Sequence, residues 1–344
     1  MAPHGALAAL VALSTAGYRP PSTEEAPVRE RDWIDRFVRP RAPAPAADGT
    51  LLGPGDDAAL LALPAGEVAV LTVDGLVLGS HFLPGWLADD ELAERLVAVT
   101  VSDLAAMGAT PRGILLSFET PELPGHLGER FFAGLDRGLT RAGHLLGGNV
   151  VRTAGPLALT ATAIGSARPG EVLRRDTARP GDTIAVSGLP GRAAWARERI
   201  ARGEPQSADD RAAWVLPPDR VPLGRTLVAA GIRAAIDVSD GLLGDLGALL
   251  AASGAGADLE LEPLAAACER AGIPLALALG GGEDYELCIA GERRAIEAAF
   301  AYCDLPPPLL LGKVRAESGV TLRRAGAPFE IDAPPWDPFR PNGA

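Results

Sequence analysis

Hydrophobic and polar positions along this chain predict an alternating series of strands and helices. Residues 68–74 (VAVLTVD) and 113–119 (GILLSFE) have the short apolar runs typical of strands, and residues 89–107 between them have helical spacing. Residues 134–146 (GLDRGLTRAGHLL) predict a second helix, and residues 157–165 (LALTATAIG) predict a strand with β-branched alternation. This order is typical of an α/β domain.

A second series begins at residues 178–188 (ARPGDTIAVSG), where a Pro-Gly turn leads into a strand. Residues 203–222 are polar and contain prolines, so no regular element is predicted there. Residues 312–331 predict a closing hairpin with turns at Ser318-Gly319 and Ala325-Gly326.

Length and spacing then indicate a two-domain protein of the α/β (α+β) class, with domains at residues 28–168 and 169–344. Residues 1–27 contain an apolar stretch that resembles the core of a signal peptide, but no Lys or Arg precedes it. We therefore expect these residues to be a disordered extension, or to reflect a start codon assigned too far upstream.

Composition and charge narrow the function classes. A net charge of -12 argues against nucleic acid as a partner, because affinity for a phosphate backbone needs clustered Lys and Arg. Only one of the 32 basic residues is a lysine, Lys313, which excludes a P-loop. The three cysteines are odd in number and form no C-x-x-C, so they indicate neither a disulfide framework nor a zinc site. We expect a cytoplasmic enzyme without membrane attachment.

Aspartates interrupt several stretches that otherwise have the composition of buried core. An ionised carboxylate in an apolar setting is unfavourable unless it is paired or holds a metal ion. Basic partners are missing nearby in the sequence, so shared cations are the natural candidates. The aspartates are Asp56, Asp57, Asp74, Asp103, Asp237 and Asp240.

Two of these segments allow two interpretations each. In GPGDDAALL, Gly53 and Gly55 permit a loop that approaches a phosphate closely, with carboxylates directed toward metals, or they form an ordinary polar turn. Asp103 is the only charged residue between Leu96 and Pro111, so it either ligates a metal or faces solvent from an otherwise apolar helix.

The segment IDVSDGLLGDLG combines a carboxylate at a strand end, a hydroxyl and a second carboxylate at a helix start. Asp237, Ser239 and Asp240 would then gather oxygen ligands beside backbone amides that favour phosphate. Alternatively, Ser239 or Asp240 caps the helix and Asp237 is exposed.

Three weaker signals remain open. In GGGEDYELC, the acids around Glu283 suit a cationic or hydroxylated ligand, but a turn before a strand explains the glycines equally well. In GGNVVR, the glycines beside Asn149 allow backbone amides to meet a nucleotide, or they cap a helix and turn the chain. A lone histidine such as His81 is usually structural.

Taken in order, these segments resemble the thiamine-monophosphate kinase family from about Arg31 to Phe339. The family is part of a wider group with aminoimidazole ribonucleotide synthetase, selenophosphate synthetase and a hydrogenase maturation factor. The carrying motifs are GPGDDAALL, VDGLVLGSHF, SDLAAMGATP, RRDTARPGDTIAVSG, IDVSDGLLGDLG, GGGEDYELC and a terminal WDPF.

The resemblance implies transfer of the γ-phosphoryl group of ATP to thiamine monophosphate, which gives thiamine diphosphate. It also implies a homodimer whose N-terminal domains join their mixed sheets into a barrel, with ATP and several Mg²⁺ ions between each chain's two domains. The matching metal positions are Asp57, Thr72, Val73, Asp74, Asp103, Asp237 and Asp240, of which Asp57, Asp103 and Asp237 are expected to carry catalysis. The matching nucleotide positions are Gly148, Asn149, Arg175 and Ser239. The matching substrate positions are His81, Glu283 and Trp336.

Two positions depart from the family pattern. Asn149 stands where the family usually has Asp, and Val73 stands where it often has Thr. A unit charge at about 4 Å is worth on the order of 4 kcal/mol at an effective dielectric near 20, so an uncompensated loss would slow catalysis roughly a thousandfold. Either other ligands compensate, or activity is weak, or the substrate is different. The alternatives are therefore a related ATP-dependent kinase or synthetase, and a nucleotide-binding paralogue with reduced catalysis.

Overall fold

The computed structural model describes residues 29–42, 49–123 and 125–331. The expected extension at residues 1–27 and the expected substrate contact Trp336 lie outside this part of the chain. The described residues divide into two compact units. The first unit contains the described residues up to Ala62, Val73–Val97 and Gly113–Thr162, and the second unit contains Leu63–Thr72, Ala98–Arg112 and the described residues from Ala163 onward.

The elements follow in mixed α/β order. The α-helices are α1 (Glu30–Trp33), α2 (Asp89–Ala106), α3 (Gly125–Ala142), α4 (Arg192–Ala201), α5 (Ala208–Val215), α6 (Val221–Ala229), α7 (Leu242–Ala252), α8 (Glu262–Ala271), α9 (Leu275–Gly280) and α10 (Arg293–Tyr302). The strands are β1 (Thr50–Leu52), β2 (Leu60–Leu61), β3 (Val68–Val77), β4 (Thr110–Thr120), β5 (His144–Arg152), β6 (Ala158–Ala167), β7 (Thr183–Val186), β8 (Ala234–Val238), β9 (Gly256–Glu260), β10 (Glu286–Gly291), β11 (Leu309–Arg315), β12 (Gly319–Arg324) and β13 (Ala327–Pro328). No helix among the described residues is long and apolar enough to cross a membrane.

Aromatic side chains form the centre of the first unit. Trp33, just 2% exposed, lies 5.5 Å from Phe118 and 5.1 Å from Phe132 between ring centroids. Phe37 stacks on Phe132 at 5.5 Å, in the π-helical turn Ile34–Val38 that continues α1. Such pairs contribute about 0.5–1.5 kcal/mol each beyond their buried area. The contacts of Trp33 and Phe37 therefore attach the short first helix and its π-helical turn to the rest of the first unit.

The four-stranded sheet, of order β3-β6-β4-β5, corrects two sequence predictions. The helix predicted at residues 134–146 ends at Ala142, because Gly143 adopts φ +93 and stops it. The segment GGNVVR is neither a cap nor a loop but part of β5, which runs parallel to β4 with Asn149 opposite Ser117. Gly148 fits there because a β-carbon would collide with the backbone of Leu116.

The second unit contains a seven-stranded sheet of order β13-β12-β9-β11-β7-β10-β8. Neighbouring strands are antiparallel except β9 and β12, which are parallel. The predicted closing hairpin is therefore wrong at Ser318-Gly319, since β9 lies between β11 and β12. Gly256 permits this insertion, because a β-carbon there would meet the carbonyl oxygens of Glu317 and Gly319. The second predicted turn, at Ala325-Gly326, does join β12 to β13.

The polar stretch at residues 203–222 also contains an element that the sequence pattern did not predict. Helix α5 begins there, with the Ser207 hydroxyl accepting the backbone N–H of Asp210 at 3.1 Å. Its residue Trp214 is fully buried. A capping serine followed by helix formers was the available signal, and the surrounding prolines obscured it.

Candidate active site

Two aspartates predicted as a site are brought together in the second unit. Asp103 is half-buried on α2, and Asp237, on β8, is only 3% exposed. The Thr72 hydroxyl donates a hydrogen bond to Oδ2 of Asp103, and the Ser102 hydroxyl donates to Oδ2 of Asp237 at 3.0 Å. The interpretation of Asp237 as an exposed residue is therefore wrong.

The surroundings of Asp237 disfavour its ionised form. The pKa of Asp237 is raised to about 7, mainly by burial and next by the negative charge of Asp103. The hydrogen bond from Ser102 and the positive charge of Arg175 oppose the rise in pKa. A buried carboxylate beside a second carboxylate is a setting that a divalent cation stabilises.

A third aspartate organises the loop that follows β8. Oδ2 of Asp245 accepts the backbone N–H groups of Ser239, Asp240 and Gly241 at 3.0, 3.0 and 3.1 Å. Burial raises the pKa of Asp245 to about 6, although these hydrogen bonds oppose it. Gly241 stands at the N-cap of α7 without a side-chain cap, so neither Ser239 nor Asp240 caps this helix. Asp245 thus fixes the loop that carries two predicted ligands.

A cavity of about 440 Å³ opens beside Asp103 within the second unit. This volume lies in the range of small-ligand sites. Arg175 on its wall is exposed, and its positive charge lowers the pKa of Asp240, whose burial acts in the opposite and larger direction. The cavity therefore offers both carboxylate and guanidinium groups to a ligand. Its lining includes Thr72, Asp103, Met107, Arg174, Arg175 and Ile236.

The three acids of GGGEDYELC have separate partners. Asp284 accepts the backbone N–H groups of Gly191 and Ala193 at 2.6 and 3.0 Å, at the start of α4. Glu286 accepts two hydrogen bonds from Arg220, at 2.6 and 2.9 Å. Both acids are buried. Glu283 is half-buried and is therefore the most accessible of the three acids, which makes it the candidate for ligand recognition.

The remaining acidic candidates and His81 lie in the first unit. Asp56 and Asp57 are exposed, and the Asp56 carboxylate accepts the backbone N–H of Asp57 at 2.8 Å. Asp74 accepts the N–H of Gly75 at 2.6 Å. Nδ1 of His81 accepts the N–H of Val77 at 3.0 Å, which assigns the ring proton to Nε2 if the ring is neutral.

The two departures from the family pattern both occur on strands. Asn149 is exposed on the face of the sheet that also carries Leu115, while alternate residues such as Leu116 are buried. Val73 is 62% exposed, and strand alternation places its side chain on the face of β3 opposite to Thr72 and Asp74. A valine side chain has no metal-binding atom, so Val73 could bind a metal only through its backbone carbonyl.

Sequence reasoning missed Ser102 and Asp245, which hold the predicted aspartates in place. Ser102 precedes Asp103 directly, but its partner Asp237 is distant in sequence, so no local pattern indicates the bond. Asp245 was detectable as a carboxylate in the first turn of a helix, a position where it can accept backbone N–H groups.

The metal-binding potential is distributed. No group of three or more His, Cys, Asp and Glu side chains lies close enough to hold a metal ion within the described part of the chain. The donors that do lie together are the hydroxyl of Thr72 and the carboxylates of Asp103 and Asp237.

Fold and site together define a two-domain α/β protein with a carboxylate-lined cavity. Its sequence matches the models of AIR synthase related protein, with the N-terminal domain at residues 55–167 and the C-terminal domain at residues 179–324. The chain therefore belongs to the AIR synthase related protein family.

Individual relatives agree with this family. Thiamine-monophosphate kinase of Escherichia coli (strain K12) is 37% identical over 303 residues, which covers 84% of this chain and 92% of the relative. The crystal structure of thiamine-monophosphate kinase from Stenotrophomonas maltophilia K279a has a TM-score of 0.71 at 34% identity, covering 88% of this chain and 98% of that chain. The structure of AaThiL complexed with AMPPCP and TMP has a TM-score of 0.68 at 24% identity, covers 93% and 99% of the two chains, and shares the fold.

Proposed function

We propose that this protein is an ATP-dependent kinase that phosphorylates thiamine monophosphate to thiamine diphosphate. One structural observation carries the proposal: Asp103 lines the same cavity as the exposed Arg175. Asp103 accepts a hydrogen bond from the Thr72 hydroxyl, and its charge raises the pKa of the buried Asp237. Phosphoryl transfer depends on positioning and charge neutralisation, which such a site provides. Relatives 34–37% identical that bear this activity in their names support the choice of acceptor.

The residues present fit magnesium. Thr72, Asp103 and Asp237 offer only oxygen donors, which Mg²⁺ prefers, and the carboxylates carry charge that a cation would compensate. These three residues would hold it, and Mg²⁺ would neutralise the negative charge of the phosphate groups. Asp57, Asp74 and Asp240 stay as proposed metal positions on the family resemblance.

The chain's own residues would bind and orient the reactants. The Arg175 guanidinium suits a phosphate. The N–H groups of Ser239, Asp240 and Gly241 are taken up by Asp245, which fixes the loop that carries the side chains of Ser239 and Asp240. The acceptor is a phosphate oxygen that is already ionised at neutral pH, so no general base is required. Glu283 would recognise the cationic part of the acceptor.

Incubation of the pure protein with ATP, Mg²⁺ and thiamine monophosphate, followed by mass spectrometry, tests the proposal. We expect thiamine diphosphate to form. Asp103→Asn should reduce turnover about a thousandfold, by loss of one charge at the site. Asp258→Asn is the matched control, because Asp258 is a strand residue of the second unit with a side chain 60% exposed. Absence of product at high protein concentration, with ATP still bound, would reject the kinase.

Asn149 favours one alternative, an ATP-dependent enzyme with a different acceptor. An exposed amide stands at this position, where the family usually has a charged carboxylate. The same assay, run with other phosphorylated and unphosphorylated acceptors, separates the two. ATP consumption with another acceptor and none with thiamine monophosphate would favour the alternative, and ATP binding without consumption would indicate a non-catalytic paralogue.

We also propose that the chain forms a homodimer through the sheet of the first unit. Leu115 and Val151 lie on the same face of the β4–β5 pair and are 37% and 39% exposed. Exposed apolar side chains on a sheet face are typical of an interface. Light scattering should report a dimer that Leu115→Asp weakens, whereas Tyr302→Asp, at a residue 84% exposed on α10, should not. A monomeric wild type would contradict the proposal.

A further inference from the structure

The backbone of Glu283 adopts an unusual conformation. Its φ is +62, a left-handed value that a residue with a β-carbon rarely adopts, and φ of Tyr285 is +51. The N–H of Glu283 donates to the carbonyl of Ser239 at 2.7 Å, and the N–H of Tyr285 donates to the carbonyl of Val238 at 2.8 Å. Glu283 is therefore attached directly to the loop that Asp245 holds.

The side chain of Glu283 is held by two residues from two different helices. Nη1 of Arg197, on α4, donates to Oε2 of Glu283 at 2.5 Å. Nε1 of Trp214, on α5, donates to the same oxygen at 3.2 Å. The Glu283 side chain is 17% exposed and Trp214 is fully buried, so little of this arrangement faces water. Two donors on one oxygen determine where the carboxylate points.

Stability alone is a poor explanation of this arrangement. A mostly buried ion pair is weak evidence of stabilisation, because the loss of hydration offsets much of the attraction. A left-handed conformation at a residue other than glycine carries a penalty of about 1–2 kcal/mol, which a glycine would avoid. The neighbouring acids Asp284 and Glu286 already supply the buried contacts of this segment. Strained backbone with an oriented, partly accessible carboxylate is typical of ligand-binding positions.

We propose that Arg197 and Trp214 are positioning residues that set the orientation of Glu283 toward the cationic part of the acceptor substrate. This inference rests on the proposed function. Arg197 also pairs with the Glu283 carboxylate, which lowers its net attraction for a cation, so the role assigned to Arg197 is orientation of the carboxylate and not its charge. Affinity for the acceptor then depends on helices α4 and α5, whereas affinity for ATP does not.

Steady-state kinetics of three single variants test this. Trp214→Phe keeps the ring and removes the N–H donor, and we expect it to raise KM for thiamine monophosphate about tenfold, the effect of losing one hydrogen bond to a charged group. Arg197→Gln should raise this KM at least as much, and Arg197→Lys should restore part of the loss. The KM for ATP should stay within about twofold of wild type, since a change below that corresponds to little free energy.

Matched controls lie on the same helix. Trp195→Phe changes a tryptophan whose ring faces Arg202, and Arg199→Gln removes an arginine that pairs with Glu204 and Asp210. Both should leave the two KM values unchanged. Equal increases of both KM values in Trp214→Phe and Arg197→Gln, or unchanged values with only a lower melting temperature, would overturn the inference.

Direct binding separates this inference from the proposed function. Calorimetric titration with thiamine monophosphate does not require turnover. A wild type that binds the compound but forms no product would reject the kinase while leaving the positioning role to be judged by Kd. Unchanged Kd in both variants would reject the positioning role, and a wild type that does not bind thiamine monophosphate would reject both.

Discussion

The buried carboxylate of Asp284 provides a sharp prediction about stability and pH. Asp284 is 4% exposed and accepts backbone N–H groups from Gly191 and Ala193. Its pKa is raised to about 7, mainly by burial and to a smaller extent by the charges of Glu286 and Glu283. The two N–H donors oppose this rise in pKa. Asp284→Asn removes the titrating group and keeps the size of the side chain.

The expected magnitude follows from the difference in pKa. The carboxyl group titrates near 3.9 when unfolded and at about 7 when folded, so its contribution to the free energy of unfolding changes by about 4 kcal/mol. The sign is set by proton binding, because the folded state holds the proton more tightly. The contribution of Asp284 to the free energy of unfolding is therefore greatest below about pH 4, and it is lost as the pH rises to about 7.

Urea denaturation at several pH values from 4.5 to 8.5 measures this difference, with the linear slope compared between proteins at each pH. The free energy of unfolding of Asp284→Asn minus that of wild type should increase by about 3 kcal/mol across this range, because part of the change lies below about pH 4.5. A constant offset of about 1–3 kcal/mol is also expected, because the amide cannot accept both N–H groups. The exposed Asp258→Asn gives the baseline. A difference curve for Asp284→Asn as flat as this baseline would refute the reasoning.

Three further predictions concern the site and its support. Asn149→Asp restores the acid of the family and should lower the Mg²⁺ concentration for half-maximal turnover; an unchanged Mg²⁺ titration would argue that this position does not interact with the metal. Arg220→Met leaves Glu286 buried without its cation and should lower the free energy of unfolding by about 3–5 kcal/mol in denaturation, whereas a change below about 1 kcal/mol would contradict the buried pair. Asp245→Ala should speed amide hydrogen exchange at Ser239 and at the two residues after it, since their shared acceptor is lost, and unchanged protection would show that other contacts hold the loop.

The hydrophobic pattern predicted helices better than strands, because a helix forms its backbone hydrogen bonds within its own segment. α2 was predicted at residues 89–107 and spans Asp89–Ala106, because its apolar residues are buried on nearly all sides. The failures at GGNVVR and at Ser318-Gly319 concern strands. Strand formation depends on distant pairing partners, so the glycines that indicated a loop in β5 instead allow close contact with β4.

The candidate site was predictable to the extent that charge in an apolar context is a local signal. Asp103 and Asp237 stood out in the sequence, and the structure places them close enough for the charge of one to raise the pKa of the other. The residues that hold acidic groups in place carry no such signal. Ser102 is an ordinary member of a predicted helix, and Trp214 lies in a stretch where no element was predicted. Their roles arise from contacts across many intervening residues.

The place of β7 within the seven-stranded sheet has a consequence for biosynthesis. β7 is fully buried and pairs with β10 on one side and β11 on the other. Val186 of β7 therefore lies opposite Cys288 of β10 and opposite Leu309 of β11. Because a nascent chain leaves the ribosome from its N-terminus, β7 emerges long before either partner has been synthesised. The second unit can therefore close its sheet only when translation has passed β11, and until then an apolar strand edge is available to chaperones or to aggregation.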